Sequence, residues 1–350
     1  MFTRRSFVAA AAAAVRSQPV DLFFAGENGV HTYRIPALIE TRKGTLLAVA
    51  DARFDSSGDL PARIALVMRR SRDGGKTWTP IETLRKVNDG GGVGDASLLI
   101  DRRTGRVWCF HAYGPPGIGF PTAKAGEVTG ASTLQVHAIH SGDDGVTWSA
   151  PVDLTPQIKR PEWKAMFATS GTHFQTSKGR YLLPLVVRDE NDKVAARNAF
   201  SEDGGRTWHT GSVIGEGTDE SKAIELPDGS ILQNLRNGNR RAIARSYDGG
   251  VNFGPLTHDG ALIDPGCNAG LARLPNGRFV FTNAASTKRE NLTARMNDGR
   301  NWTQPRVIHP GPAAYSTVVP LRDGALGLLY ECGGQSPYER ISFFRWQPGR

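Results

Sequence analysis

The side chains of this chain that could do chemistry are scattered, not clustered. Arginines stand in Tyr33-Arg34-Ile35-Pro36, in Leu232-Gln233-Asn234-Leu235-Arg236 and in Ser286-Thr287-Lys288-Arg289-Glu290. Acidic residues stand in the run from Asp51 to Asp59, in Gly94-Asp95-Ala96-Ser97, in Thr218-Asp219-Glu220-Ser221 and in Leu329-Tyr330-Glu331. A tyrosine stands in Ala314-Tyr315-Ser316-Thr317. Guanidinium forks pair carboxylates bidentately and stay charged at any relevant pH. Carboxyl groups and phenols can give and take protons. Taken alone, any one arginine among the 43 Lys and Arg is a solvated surface residue. Only a fold that gathers distant segments could make a site of these groups.

The repeats say what such a fold would be. Ser71-Arg72-Asp73-Gly74-Gly75-Lys76-Thr77-Trp78 recurs as Ser141-Gly142-Asp143-Asp144-Gly145-Val146-Thr147-Trp148 and as Ser201-Glu202-Asp203-Gly204-Gly205-Arg206-Thr207-Trp208. A fourth copy, Ser246 to Phe253, carries Phe for Trp, and Arg295 to Trp302 is a worn fifth. Asp-Gly and Gly-Gly supply the positive φ of a tight hairpin turn. The Ser and Asp side chains can accept bonds from turn N–H groups. The Trp can fold back onto its own hairpin. Copies lie about 45 to 70 residues apart, the scale of one sheet-sized unit in a radial array. Pro36-Ala37-Leu38-Ile39-Glu40 and Thr45-Leu46-Leu47-Ala48-Val49-Ala50 read as strands around a turn, and similar runs follow. Some 330 residues in units of about 50 to 55 give six. The expectation is an all-β, six-bladed β-propeller of four-stranded antiparallel blades. Loops at one end of its axis would form a pocket to which every blade contributes. The repeats themselves read as fold staples that stay away from any ligand.

Composition sets further bounds. The 350 residues include 41 Gly and 21 Pro, as many short strands and tight turns require. Residues 1–18 read as an export signal: Thr3-Arg4-Arg5-Ser6-Phe7-Val8 runs into alanines, and the Arg pair resembles a twin-arginine signal. Residues 19–350 then form one domain, exported to a periplasmic or extracellular location. No stretch of the mature part is long and apolar enough to span a membrane. Cys109, Cys267 and Cys332 show no metal-ligand spacing, and their odd number argues against a disulfide framework, so buried free thiols are expected and no metal. The net charge of +9 falls to a modest excess once Arg4, Arg5 and Arg16 of the signal region are set aside. That excess favours an anionic ligand. It is too unclustered for nucleic acid.

An Arg-Ile-Pro motif at Arg34-Ile35-Pro36, followed by the ordered repeats, resembles the sialidase (neuraminidase) family, whose mark is this motif with repeated Asp-boxes. The resemblance runs from about Val30 to Glu331. It implies that Arg34, Arg236 and Arg289 form the arginine triad that binds the carboxylate of sialic acid, and that Glu331 orients the first of them. It implies Asp59 as general acid/base, Arg53 as the extra arginine near the sugar's 4-hydroxyl, and Asp95 on the N-acyl side. It implies Tyr315 as nucleophile and Glu220 as the base that deprotonates it. Glycosidases generally use two carboxylates, and a tyrosine is the sialidase exception. A carboxylate nucleophile would approach a carbon that already bears a carboxylate, a repulsion of roughly 4 kcal/mol at about 4 Å and an effective dielectric near 20. A neutral phenol avoids this, and the arginines should lower its pKa. Asp55 competes with Asp59, Glu225 with Glu220, Tyr33 and Tyr330 with Tyr315, and Arg240, Arg241 and Arg295 with the later arginines. Leu60-Pro61-Ala62-Arg63 departs from the acidic or amide-rich run usual in the family.

The function so implied is exo-α-sialidase: retaining hydrolysis of terminal sialic acid from glycoproteins, glycolipids and oligosaccharides through a covalent Tyr-linked intermediate. The chain would work as a monomer and without a cofactor. A trans-sialidase, an intramolecular trans-sialidase or another nonulosonic-acid hydrolase with the same site is the alternative, with Trp163 as the loop aromatic for an acceptor. A non-catalytic sugar-binding propeller would have lost one of Arg34, Asp59, Glu220 or Tyr315, and all are present.

Overall fold

The computed structural model describes residues 18–298 and 301–348. The expected export segment lies outside the described residues apart from Gln18, as do two residues of the worn fifth repeat. The fold is all-β. Among the described residues the only α-helix is Thr155–Ile158.

The strands follow one another as antiparallel meanders. Thr32–Glu40, Leu46–Arg53, Ile64–Ser71 and Glu82–Arg85 form the first sheet. Gly92–Ile100, Val107–Gly114, Gln135–Ser141 and Val152–Asp153 form the second, and Gly171–Thr172 adds to it in parallel beside Gly92–Ile100. The third runs Ala165–Ala168, Tyr181–Arg188, Val194–Ser201, His209–Thr210. The fourth runs Ser221–Glu225, Ile231–Asn237, Arg240–Ser246, Thr257–Ile263. The last has seven strands, and one of them, Arg306–Pro320, is 15 residues long and serves two partners. Its first part, to Pro312, pairs with Glu290–Asn297, and its second, from Ala313, pairs with Leu326–Cys332. Val20–Phe24 pairs antiparallel with Arg340–Trp346, so the first and last described strands share one sheet.

Apolar faces of successive sheets pack on one another. Ala37, Leu47 and Val49 of the first sheet share a core with Val93, Leu98 and Cys109 of the second. Leu99, Trp108 and Phe110 of the second share another with Met166, Tyr181 and Leu183 of the third. Leu38, Leu46 and Ala48 meet Val319, Leu329 and Phe343, which joins the first sheet to the last. All three cysteines are buried free thiols, as expected.

The repeats close turns in the way their side chains dictate. Ser71 Oγ accepts from Gly75 N–H (2.9 Å) and donates to Asp73 Oδ1 (2.8 Å). Asp73 in turn accepts from the N–H groups of Lys76 (3.0 Å) and Thr77 (2.9 Å). Trp78 Nε1–H donates to the Gly75 carbonyl at 3.1 Å. The copies at Ser141 and Ser201 reproduce the network. The copy at Ser246 keeps the serine and aspartate bonds, with Asn252 Nδ2 standing in for the threonine hydroxyl and Phe253 in place of the indole donor. In the fifth, Trp302 reaches a different hairpin and donates to Asp259 Oδ2 at 2.7 Å.

Each repeat also touches the sheet before its own. A Cβ on Gly75 would lie 2.1 Å from Phe343 Cε1, in the last sheet. The equivalent atom on Gly145 would lie 2.9 Å from Leu47 Cδ1, on Gly205 3.0 Å from Trp108 Cζ2, and on Gly250 2.7 Å from Leu182 Cδ1. The glycine four residues after the serine therefore leaves room for a side chain of the preceding sheet, so the motif fastens sheet to sheet as well as closing a hairpin. Gly75 also needs its φ of +90°. Gly75→Ala combines overpacking against Phe343 with backbone strain, and should lower stability by about 2 kcal/mol or more in a urea titration. Gly44→Ala, with no atom near its Cβ position, is the control for φ alone.

Candidate active site

The residues singled out in the sequence come together from strands of different sheets. Arg34 lies on Thr32–Glu40, Asp95 on Gly92–Ile100, Glu220 just before Ser221–Glu225, and Tyr315 on Arg306–Pro320. Three of these strands bulge at the residue in question. The register slips between Arg34 and Ala37, between Gly94 and Ser97, and between Ala313 and Ser316. Ile35 and Asp95 sit at φ +60° and +59°, left-handed values that cost of order 1–3 kcal/mol in a non-glycine residue. A bulge interrupts the strict alternation of faces and re-aims side chains.

Glu331 is the anchor. Its carboxylate is fully buried and accepts from Arg34 Nε (3.1 Å) and Nη2 (3.3 Å), and from the backbone N–H of Ile35 (2.9 Å) and Tyr315 (3.0 Å). One side chain thus ties the bulge of the first sheet to the bulge that carries the tyrosine. Burial opposes the charge on Arg34, but Glu331 and the two nearby phenols more than restore it.

Tyr315 is ringed by guanidinium groups. Its Oη donates to Glu220 Oε2 at 2.5 Å and accepts from Arg236 Nη1 at 3.3 Å. The Arg34 and Arg289 guanidinium carbons lie 5.2 and 5.6 Å from its ring centroid. Arg236 also reaches Glu220 Oε2 (3.0 Å) and Asp219 Oδ2 (3.5 Å). The phenol's pKa is nonetheless raised. Burial and the adjacent Glu220 carboxylate outweigh the pull of Arg236 and Arg34, which corrects the expectation of a lowered value. Glu220 is raised as well, by burial and by Asp219, against Arg236, the Tyr315 hydrogen bond and Lys222.

The far wall is acidic. Arg53 is buried between Asp51 Oδ2 (3.1 Å) and Asp59 Oδ1 (2.7 Å). The Asp59 side chain is 77% exposed, so its outer oxygen is free to meet a solvent-borne group. Asp51 Oδ1 accepts from Asp95 N–H at 3.0 Å, and burial pushes its carboxyl up to about 6 despite Arg53. Asp95 is raised well above the usual range by burial, then by Asp51 and Asp59. A cavity of about 200 Å³ joins Asp59, Asp95, Glu220, Arg236 and Tyr315, with an apolar wall that includes Leu60, Phe120 and Phe167.

The rival positions lie elsewhere. Asp55 pairs with Arg63 on the surface, and Glu225 accepts from Ser177 N–H and Oγ–H at the other end of its strand. Arg240 is exposed and donates to Gly260 O. Arg241 is fully buried and braces the site from behind, with Nη1 on Cys267 O (2.7 Å) and Nε on Asn234 Oδ1 (2.7 Å). Trp163 is 2% exposed in the core under Arg197, so it offers no platform to an acceptor sugar.

Two participants escaped the sequence reading. Asp51 could have been found, because it alternates with Arg53 on one strand face. Tyr338 could not. Its ring lies 4.4 Å from the Arg34 guanidinium carbon and its hydroxyl accepts from Arg289 Nη1, a contact made by a loop with no motif. Among the described residues no group of three His, Cys, Asp or Glu is arranged to hold a metal. The arrangement can bind an anion between three guanidinium groups, hold a proton between a phenol and a carboxylate, and offer an exposed acid across the cavity.

Residues 93–328 match the model of the BNR repeat-like domain. A sialidase of Micromonospora viridifaciens is 38% identical over 89% of this chain, and a sialidase of Bacteroides fragilis is 31% identical over 88%. The chain spans 52% and 61% of the length of those relatives. A solved structure of the Hadza microbial sialidase Hz136 superposes with a TM-score of 0.88 at 28% identity, covering 97% of this chain and 70% of that one.

Glu331→Gln tests the anchor. The amide leaves Arg34 buried beside a neutral partner, and removing one member of a buried pair costs roughly 3–5 kcal/mol. A urea titration should show a loss of that order. A change below about 0.5 kcal/mol, the range of an ordinary surface substitution, would mean that Glu331 does not carry the bulges.

Proposed function

This chain belongs to the sialidase family, and we propose that it is an exo-α-sialidase that releases terminal sialic acid with retention of configuration. We propose further that its sheets are six four-stranded blades around one axis. That reading is supported by the division of Arg306–Pro320 between two partners, by the contact of each repeat with the preceding sheet, and by the pairing of the first strand with the last. An export route is proposed on the composition of the leader alone.

The observation that carries the catalytic reading is the 2.5 Å hydrogen bond from Tyr315 to Glu220 inside the ring of Arg34, Arg236 and Arg289. A sialoside carboxylate would enter that ring as a bidentate anion. This places the anomeric carbon, one bond away, against the Tyr315 oxygen. In the first step the phenol oxygen bonds to the anomeric carbon, its proton passes to Glu220, and the exocyclic C–O bond breaks as Asp59 protonates the leaving oxygen. In the second step water attacks the same carbon, Asp59 takes its proton, the tyrosyl C–O bond breaks, and Glu220 returns the proton. Two displacements give net retention. Raised values for both members of the Tyr315–Glu220 pair suit this cycle. The phenol stays neutral while the anionic substrate docks, and the carboxylate is a stronger base than a solvated one. Burial of Trp163 favours water over an acceptor sugar in the second step.

The test is hydrolysis of an aryl α-sialoside and of 3′-sialyllactose. Tyr315→Phe should lose activity on both. Asp59→Asn should lose on the order of 10²–10⁴-fold on sialyllactose and much less on the aryl sialoside, whose leaving group needs little protonation. Wild-type turnover by Tyr315→Phe would remove the nucleophile assignment. An inactive wild type across sialosides of differing N-acyl group would remove the enzyme reading.

A further inference from the structure

Lys222 has no part in the chemistry above, yet it is buried beside it. It follows Glu220 by two residues, so strand alternation puts both on the axis-facing side, roughly 7 Å apart along the chain. The side chain is 2% exposed. Its Nζ donates to Asn268 Oδ1 at 2.6 Å, and Asn268 Nδ2 is held in turn by Ser170 O (3.2 Å) and Oγ (2.9 Å). Gly171 makes room for it, since a Cβ there would lie 3.0 Å from Lys222 Cε. Among the described residues no carboxylate lies within ion-pair distance of Nζ. A charged group is thus built into the hub with a neutral amide as its direct partner.

The charges around it define what it does. Asp219 lies beside Glu220, Arg236 lines the cavity, and Arg241 from Arg240–Ser246 and His173 beside Gly171–Thr172 both interact electrostatically with Lys222. Burial holds His173 down to about 3, with Lys222 adding to the effect, so that ring is neutral. Glu220 therefore feels two cations that favour its ionised form, Arg236 and Lys222. They differ in access. Arg236 lines the cavity, where a bound carboxylate would neutralise much of its field. Lys222 is 2% exposed and takes no part in the cavity lining, so a ligand there does not reach it.

We propose that Lys222 is a positioning residue for the base: a ligand-inaccessible cation that keeps Glu220 ionised after an anionic sugar has taken up the field of the arginines. This rests on the sialidase reading for its consequence in turnover, but the Lys222–Glu220 coupling stands apart from it. Burial lowers the ammonium itself to about 7, so its charge is present below neutrality and fades above. The sign follows. Without the cation, Glu220 takes up a proton at higher pH, and the acidic limb of kcat moves up. Above about pH 8 the wild-type lysine is itself neutral, and the difference from an uncharged variant disappears.

Lys222→Met should move the acidic limb of kcat on an aryl sialoside up by about one pH unit. That is a roughly tenfold loss at pH 5 that closes above pH 8, with KM changed less than about threefold. Lys222→Arg should restore the limb. A loss that is the same at every pH, or an unmoved limb, overturns the proposal. A second measurement needs neither turnover nor a lysine variant. The ¹⁵N signal of the Lys222 side chain is titrated in wild type and in Glu220→Gln. Its midpoint should fall by about one unit when the carboxylate is lost, and an unchanged midpoint overturns the coupling. A wild type that turns over no sialoside removes the activity, and the titration then decides the coupling alone.

Discussion

The site depends on one buried carboxylate. Glu331 accepts four hydrogen bonds, two from the Arg34 fork and two from backbone N–H groups on strands of different sheets. Those backbone groups belong to Ile35 and Tyr315, each at a bulge where the ordinary ladder is broken. An N–H released from a ladder in the interior must find another acceptor or cost free energy. Glu331 supplies that acceptor for both bulges and the counter-charge for Arg34. Strain, burial and charge are offset at a single point, which fixes the guanidinium group relative to the phenol.

The sheets that bring these strands together are fastened to one another by the repeats. Each of the four repeats from Ser71, Ser141, Ser201 and Ser246 closes its own turn with serine and aspartate, and opens the glycine four residues after the serine to a side chain of the sheet before. A small motif thereby does two jobs with one backbone conformation. The same spacing recurs at Phe343, Leu47, Trp108 and Leu182, which lie in four successive sheets around the fold.

Electrostatics around Tyr315 is a balance of opposed fields. Three arginines surround Tyr315, yet its pKa is raised, because removal from water and the neighbouring Glu220 outweigh them. Glu220 is held between Asp219, which discourages ionisation, and Arg236 and Lys222, which favour it. Across the cavity Asp51, Asp95 and Asp59 share Arg53. Arg53 is the cation paired with both the buried Asp51 and the exposed Asp59.

The sequence by itself determined what is local. The repeats, the strands around their turns and the all-β class follow from side chains that bond backbone within a few residues and from period-two alternation. The arginine motif and the resemblance it supports were also legible, because they are patterns of contiguous residues. Tertiary structure decided what depends on burial and on neighbours distant in the chain. It buried Trp163 and Lys222, recruited Asp51 and Tyr338, and set the direction of the Tyr315 shift. Desolvation and charge–charge coupling are sums over groups that the chain order keeps apart, so no reading of spacing contains them.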